Sequence, residues 1–255
     1  MDTFVINQFI KFQTDIVSEC DVALPVLFGR SSLSIYISAT AGDLIVIDVN
    51  TIDGQNKASM FYTPTTNGWH SVSISQGISA DKMASSFADG DLFVVRLRNA
   101  TLDYTLYSQP LQFRKSLDGL AVLTYSCNED AFGLPFADAG EAIVTIPMVL
   151  TAPQYIQEDK VYTKSNGENV VLYAQYKKEW QAETDYLSER WHDNIIKVLS
   201  CDKIQIETGS IKQYVSKNGD YEIDWDNYDQ LPDGTKTAKA AVKLQANITS
   251  RNSNY

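Results

Sequence analysis

The chain has 255 residues, 44% of them hydrophobic and 21% charged, and its 13 glycines and 7 prolines are fewer than average usage would supply. A chain of this length can bury roughly 70–75% of its unfolded surface, which excludes wholesale disorder and collagen-like or low-complexity architectures. Thirty-two acidic residues against 21 basic ones leave a formal charge of −11, so the surface repels phosphate backbones and anionic lipid, and neither nucleic acid nor membrane is expected as a partner.

No apolar run approaches the roughly 20 residues of a membrane helix. The start, Met1-Asp2-Thr3-Phe4, lacks the basic region and apolar core of a secretory leader, so a soluble protein made in the cytoplasm is expected. Residues 4–113 read as short strands separated by polar turns. Ser32-Leu33-Ser34-Ile35-Tyr36-Ile37-Ser38 and Ser71-Val72-Ser73-Ile74-Ser75 alternate with a period of two, as half-buried antiparallel strands do. Leu44-Ile45-Val46-Ile47-Asp48-Val49 and Leu92-Phe93-Val94-Val95-Arg96-Leu97 are more continuous, the second following the turn Asp89-Gly90-Asp91. This spacing predicts a β-sandwich over residues 1–113, with a helical turn or two over 80–88 as a plug. Pro110 confines 107–113 to an edge or exit strand.

A second domain, residues 114–255, opens with strands at 120–126 and 142–150. Leu187, Trp191, Ile195 and Val198/Leu199 then recur at helical spacing, which predicts one long helix over about 185–199, capped by Thr184 or Asp185. Strands are expected again at 203–206, 221–225 and 238–246, before a polar tail at 247–255. The fold class is therefore mainly β, a sandwich joined to an α+β domain that carries one helix.

The sequence offers little for catalysis. His70 and His192 are the two histidines, and neither sits in a metal-binding spacing; nucleophile-elbow, dinucleotide and P-loop patterns are missing. Cys20, Cys127 and Cys201 are widely separated without a C-x-x-C pair, so free thiols are expected, with no zinc site and no disulfide framework. No enzyme activity and no cofactor is expected. Strand alternation in Asp220-Tyr221-Glu222-Ile223-Asp224-Trp225-Asp226 predicts four carboxylates on one face, with Asp229 and Asp233 following. Asp220, Glu222, Asp224, Asp226 and Asp229 can be read as calcium ligands, as a solvated strand face, or as an acidic face meeting a basic face of a neighbouring subunit. Aromatics are plentiful, and Trp69, Tyr62 and Tyr104 could stack on sugar rings. Trp69, Trp180, Trp191 and Trp225, with Arg251 and Tyr255 of the tail, are candidate interface anchors. The sequons at Asn99 and Asn247 carry little weight without a secretory route.

The second half of the chain carries a recognisable series of segments: Tyr107-Ser108-Gln109-Pro110-Leu111, Tyr125-Ser126-Cys127-Asn128-Glu129-Asp130-Ala131-Phe132-Gly133, Tyr162-Thr163-Lys164-Ser165-Asn166-Gly167-Glu168, Lys178-Glu179-Trp180-Gln181-Ala182-Glu183-Thr184-Asp185-Tyr186-Leu187, His192, and Leu199-Ser200-Cys201-Asp202-Lys203-Ile204-Gln205-Ile206. Together they resemble structural proteins of phages and prophages of Bacteroidota hosts, including the crAss-like phages. The resemblance implies a tail or virion component: a ring below the portal in short-tailed phages, or a distal tail or baseplate protein in long-tailed ones. It implies self-association into a homo-oligomeric ring, a dodecamer or hexamer, with other tail or portal proteins as neighbours and the virion tail as location. Read from the residues alone, Asn166-Gly167 marks a hairpin turn between strands. A carbohydrate-binding or adhesin-like sandwich is the alternative reading, and an enzyme would need convergent carboxylates in a cleft. The tail is expected to stay extended until it docks on a neighbouring protomer.

Overall fold

The structure is a computed structural model that describes residues 4–16, 23–209 and 211–252. It is mainly β. The strands β1 (Phe4–Ile6), β2 (Phe12–Gln13), β3 (Leu24–Val26), β4 (Ser34–Ala39), β5 (Ile45–Thr51), β6 (Asn56–Tyr62) and β7 (Gly68–Ser73) are followed by the short helices α1 (Ile74–Gly77) and α2 (Ala80–Ala84). Then come β8 (Leu92–Asn99), β9 (Tyr104–Ser108) and β10 (Leu111–Phe113). β1, β4 and β7 form a three-stranded sheet. β8 is the hub of a seven-stranded one, pairing with β5, β9 and β10. The alternation read over 71–75 is cut short, because the chain turns helical at Ile74. Met83 and Phe87 are buried, and Phe87 lies 5.9 Å from Phe93 and 6.1 Å from Phe113 between ring centroids, so the 80–88 segment fills an apolar gap as expected.

The rest of the chain holds β11 (Leu120–Ser126), α3 (Phe136–Ala139), β12 (Ala142–Leu150), β13 (Gln154–Thr163), β14 (Asn169–Thr184), β15 (Leu187–Ser188), α4 (Glu189–Leu199), β16 (Lys203–Thr208) and β17 (Ile211–Lys217). It ends with β18 (Glu222–Ile223), a 3-10 turn at Trp225–Asn227, β19 (Asp229–Gln230), β20 (Lys236–Ala238) and β21 (Ala240–Asn252). β11 pairs with β12 and β16, β16 with β17, β17 with β21, β21 with β14, and β14 returns to β12, all antiparallel. Six strands thus close into a barrel, which removes their edges.

Cross-strand register shows what fills the barrel. Leu123 opposes Val144 on one side and Ile206 on the other, and Trp180 opposes Leu244; all five are buried. The opposite face of β11 and β12 packs outward on the N-terminal half, where Thr145 Oγ1 donates to the Ser32 carbonyl at 2.8 Å and the Ile143 amide donates to Ser34 Oγ at 2.8 Å. Among the described residues no strand ladder crosses 114–119, yet one apolar core runs through both halves.

α4 begins later than its sequence spacing predicts. Leu187 and Ser188 pair with Ala238 and Thr237, and Thr184, the expected cap, instead accepts the Ala240 amide at 2.8 Å. Ser188 is the N-cap residue. Its apolar stripe, Trp191, Ile195, Val198 and Leu199, joins the core, with Trp191 5.4 Å from the Phe9 ring and Asn194 Nδ2 donating to the Gln8 carbonyl at 2.7 Å.

Leu123 is the plainest test of the barrel interior. Leu123→Ala leaves a cavity among Val144 and Ile206 and should cost about 2–5 kcal/mol in urea unfolding. A loss below about 1 kcal/mol would contradict the assigned register.

Candidate interaction surface

β14 and β21 do not stop at the barrel rim. β14 is 16 residues long; Trp180 and Ala182 face inward in the barrel wall, and the strand runs on to Asn169 beyond it, flanked by β13 on one side and residues 245–252 of β21 on the other. The result is a three-stranded ribbon. Its hairpin turn forms where Asn166-Gly167 predicts: Lys164 and Glu168 exchange a backbone bond of 2.8 Å, Glu168 N donates to Asn166 Oδ1 at 3.0 Å, and Gly167 takes φ +84°, a conformation that strains a side-chain-bearing residue.

Side chains on the ribbon sort by register. Tyr155 opposes Lys178, Gln157 opposes Tyr176, and past a bulge after Lys160 Val161 opposes Val171. Tyr155, Val161, Val171 and Tyr176 therefore share one face, the continuation of the face that carries Trp180 inside the barrel, with Gln157, Asp159 and Lys178 among them on the same face. All four are exposed, Tyr155 at 72% and Val161 at 50%. Tyr162, on the other face, is 55% exposed. Lys178 marks the rim, its Nζ 5.3 Å from the Trp180 ring and 5.5 Å from that of Tyr155. β13 has no second strand neighbour among the described residues, so a ten-residue edge about 33 Å long offers open backbone donors and acceptors.

The residues singled out in the sequence are placed differently. Trp180 and Trp191 are 1% and 2% exposed and serve the core, so they cannot anchor an interface on this surface. Trp69 is half-buried and packs on the same core. Tyr62 and Tyr104 lie on β6 and β9 in one cross-strand row, but Ile45 and Asn99 between them are buried, so the row is covered and does not form one open sugar platform. Asn99 is buried and its amide donates to Asp43 Oδ2 at 3.1 Å, so that sequon is closed. The tail does not wait for a neighbour: 247–252 continue β21 as a ladder with 173–177, because β14 presents an unfilled edge there. The Arg251 backbone opposes Ala174, whereas the Arg251 side chain and Tyr255 lie outside the described residues.

The acidic segment is not one strand face. Only Glu222 and Ile223 pair, with Ala241 and Ala240, before the chain enters the 3-10 turn. Asp224 caps that turn, accepting from Asn227 N at 3.3 Å and Nδ2 at 2.9 Å, and Asp229 accepts from the Gln230 amide at 2.8 Å. Asp220, Glu222 and Asp226 are exposed. Among the described residues no three His, Cys, Asp or Glu side chains converge as metal ligands. Trp225, 37% exposed, borders an open cavity of about 480 Å³ lined by Ser188, Glu189, Arg190, Thr235 and Lys236.

Behind Trp225 lies His192, fully buried, with ring centroids 5.8 Å apart. Its Nε2 faces the Ala238 carbonyl at 3.0 Å, which can only accept, so Nε2 carries the proton and Nδ1 accepts from Tyr221 OH at 2.7 Å. Burial lowers the proton affinity of this imidazole. His192 is thus a satisfied core histidine. Compared with known protein families, curated proteins and solved structures, the chain matches none.

Two outcomes follow from these placements. The unfolded chain takes up the His192 proton near pH 6.5 while the folded chain resists it to lower pH, so stability is complete above that pH and falls as pH drops below it. Unfolding by urea at pH 7.5 and 5.5 should show this loss, and His192→Gln should reduce it. Ending the chain at Ala246 strips five paired residues of ladder from β14; protease cleavage within 154–178 should accelerate several-fold while the near-ultraviolet signal of the buried tryptophans persists. Unchanged cleavage would mean that 247–252 does not hold the ribbon.

Proposed function

We propose that this chain is a structural subunit of a phage virion, a tail or connector ring component that works by protein–protein contact. The observation that carries the reading is the ribbon: an open edge strand whose one face exposes Tyr155 with Tyr176 near the barrel and Val161 with Val171 near the hairpin turn, projecting from a closed barrel. Exposed apolar stripes on rigid β-structure are what interfaces use, and an open strand edge adds backbone pairing to side-chain burial. The sequence resemblance to Bacteroidota phage structural proteins supplies the setting. In this reading the partners are copies of the same chain and neighbouring tail or portal proteins, the location is the virion tail, and no catalysis is assigned. The N-terminal half, with its three- and seven-stranded sheets, is the sandwich-like unit of such a subunit.

A sugar-binding role has one observation in its favour, the half-exposed Trp225 at its cavity. Among the described residues Trp225 is the one aromatic side chain lining that cavity, so a sugar would find a single stacking ring there, whereas the ribbon offers four exposed apolar side chains and an open strand edge.

The test joins two substitutions, Tyr155→Ser and Tyr176→Ser. Both side chains are solvent-facing, so the monomer should keep its stability within about 0.5 kcal/mol. Light scattering after size exclusion should show the parent as an oligomer and the double variant at least tenfold weaker in association. A parent that stays monomeric at high concentration and is missing from a mass-spectrometric inventory of virions would overturn the reading.

A further inference from the structure

Two of the widely spaced cysteines, Cys127 and Cys201, meet in space. β11 and β16 pair with Ser126 opposite Lys203, and just past that end of the ladder Cys127 continues one strand while Cys201 leads into the other. The Cys127 thiol reaches to 3.0 Å from the Cys201 sulfur, and both are free thiols. Cys201 is buried and donates weakly to the Lys197 carbonyl at 3.6 Å, in the last turn of α4; Cys127 is half-buried and open to a reagent. Burial pushes the Cys201 thiol far above its usual range, so it waits as a neutral group until a partner is activated beside it.

We propose that Cys127 and Cys201 are a dithiol that closes to an intramolecular disulfide when it meets a small disulfide oxidant such as oxidised glutathione. The Cys127 thiolate attacks one sulfur of the oxidant, breaking its S–S bond and expelling a glutathione thiolate. Cys201 passes its proton to that thiolate and attacks the Cys127 sulfur of the mixed disulfide, expelling the second glutathione. Two protein thiols are oxidised and one glutathione disulfide is reduced to two thiols. The bond joins residues 74 apart in sequence and ties the end of β11 to the exit of α4, with the whole β13–β14 hairpin inside the closed loop. A link across so long a loop removes much freedom from the unfolded chain. A chain made in a reducing cytosol and released in a particle would pass from the dithiol to the bonded form; that clause alone rests on the reading above, and the chemistry does not.

The experiment uses the full chain, reduced and then incubated with oxidised glutathione. Digestion under non-reducing conditions should yield the Cys127 and Cys201 peptides cross-linked, two hydrogens lighter than their sum, with Cys20 still open to alkylation. The melting temperature should rise by roughly 5–10 °C over the reduced chain. Cys127→Ser should abolish both the cross-link and the rise, while Cys20→Ser should keep them. Cys127→Ser tests the pair without disturbing the buried partner. Persistent alkylation of both thiols, a stable glutathione adduct at Cys127 alone, or a cross-link to Cys20 would each overturn the proposal.

Discussion

The antiparallel ladder between β14 and β21 is the contact on which the rest of the structure depends. Over Trp180–Glu183 it closes the barrel, and over Tyr173–Lys178 the same two strands form the ribbon. It joins segments some 60 to 80 residues apart, so its loop-closure entropy is lost before any of its contacts form. The barrel half offsets that cost by burying Trp180, Ala182, Val242 and Leu244. Once the barrel is closed, the ribbon half adds residues to an existing ladder one at a time. The projecting surface is therefore anchored in the core and does not hang from it as a flexible loop.

The second constraint is double burial. β4 is buried along its whole length, as are most positions of β11 and β12, because one face lines an internal core and the other meets the opposite half of the chain. Polar residues at that junction, Ser32, Ser34 and Thr145, are tolerable only because each finds a partner: Thr145 the Ser32 carbonyl, Ser34 the Ile143 amide. An unpaired hydroxyl there would cost about 1–3 kcal/mol. The Tyr36 hydroxyl donates to the Gly140 carbonyl at 2.8 Å for the same reason. The two halves are therefore joined by directional bonds as well as by apolar burial.

This explains which features were legible in the sequence. β11 and β12 stand where their apolar runs predict, β8 follows the Asp89-Gly90-Asp91 turn, and the stripe of Trp191, Ile195 and Leu199 marks the helix, because these signals are local. What depended on distant partners was hidden. Thr184 looks like a cap until Ala240 claims its hydroxyl, and Asp220 to Asp226 alternate like a strand until β21 pairs with only two of those residues. Trp180 looks like an anchor, but its parity with Ala182 becomes inward only when β21 closes the wall. The hairpin had a signal in Asn166-Gly167, but the apolar residues beside it, Val161-Tyr162 and Val170-Val171-Leu172-Tyr173-Ala174, run together instead of alternating, so nothing local told which face would stay uncovered. Cys127 and Cys201 meet only through the β11–β16 register, which no spacing announces.

Charge decides where an acidic chain can be approached by another copy. The net −11 is unevenly spread: residues 154–179 carry Lys160, Lys164, Lys177 and Lys178 against Glu158, Asp159, Glu168 and Glu179, a balance of zero, while residues 220–233 carry six carboxylates and no cation. β21 separates these two regions, since its first residues pair with Glu222 and Ile223 and its last with the ribbon. The five steps from Ala241 to Ala246, which lies opposite Lys178 at the base of the ribbon, span about 17 Å, and the eleven to Asn252 about 35 Å. With a screening length of about 8 Å at physiological salt, repulsion from the acidic segment reaches the base of the ribbon, where Asn218 donates to Glu179 at 2.6 Å, and fades toward the hairpin end. The charged run Glu158-Asp159-Lys160 in the middle of the open edge opposes indiscriminate strand pairing, and a partner must match its signs to use that edge. A ribbon of balanced charge, with its hairpin end farthest from the acidic segment, thus permits close approach there, while its central charges restrict which registers can form.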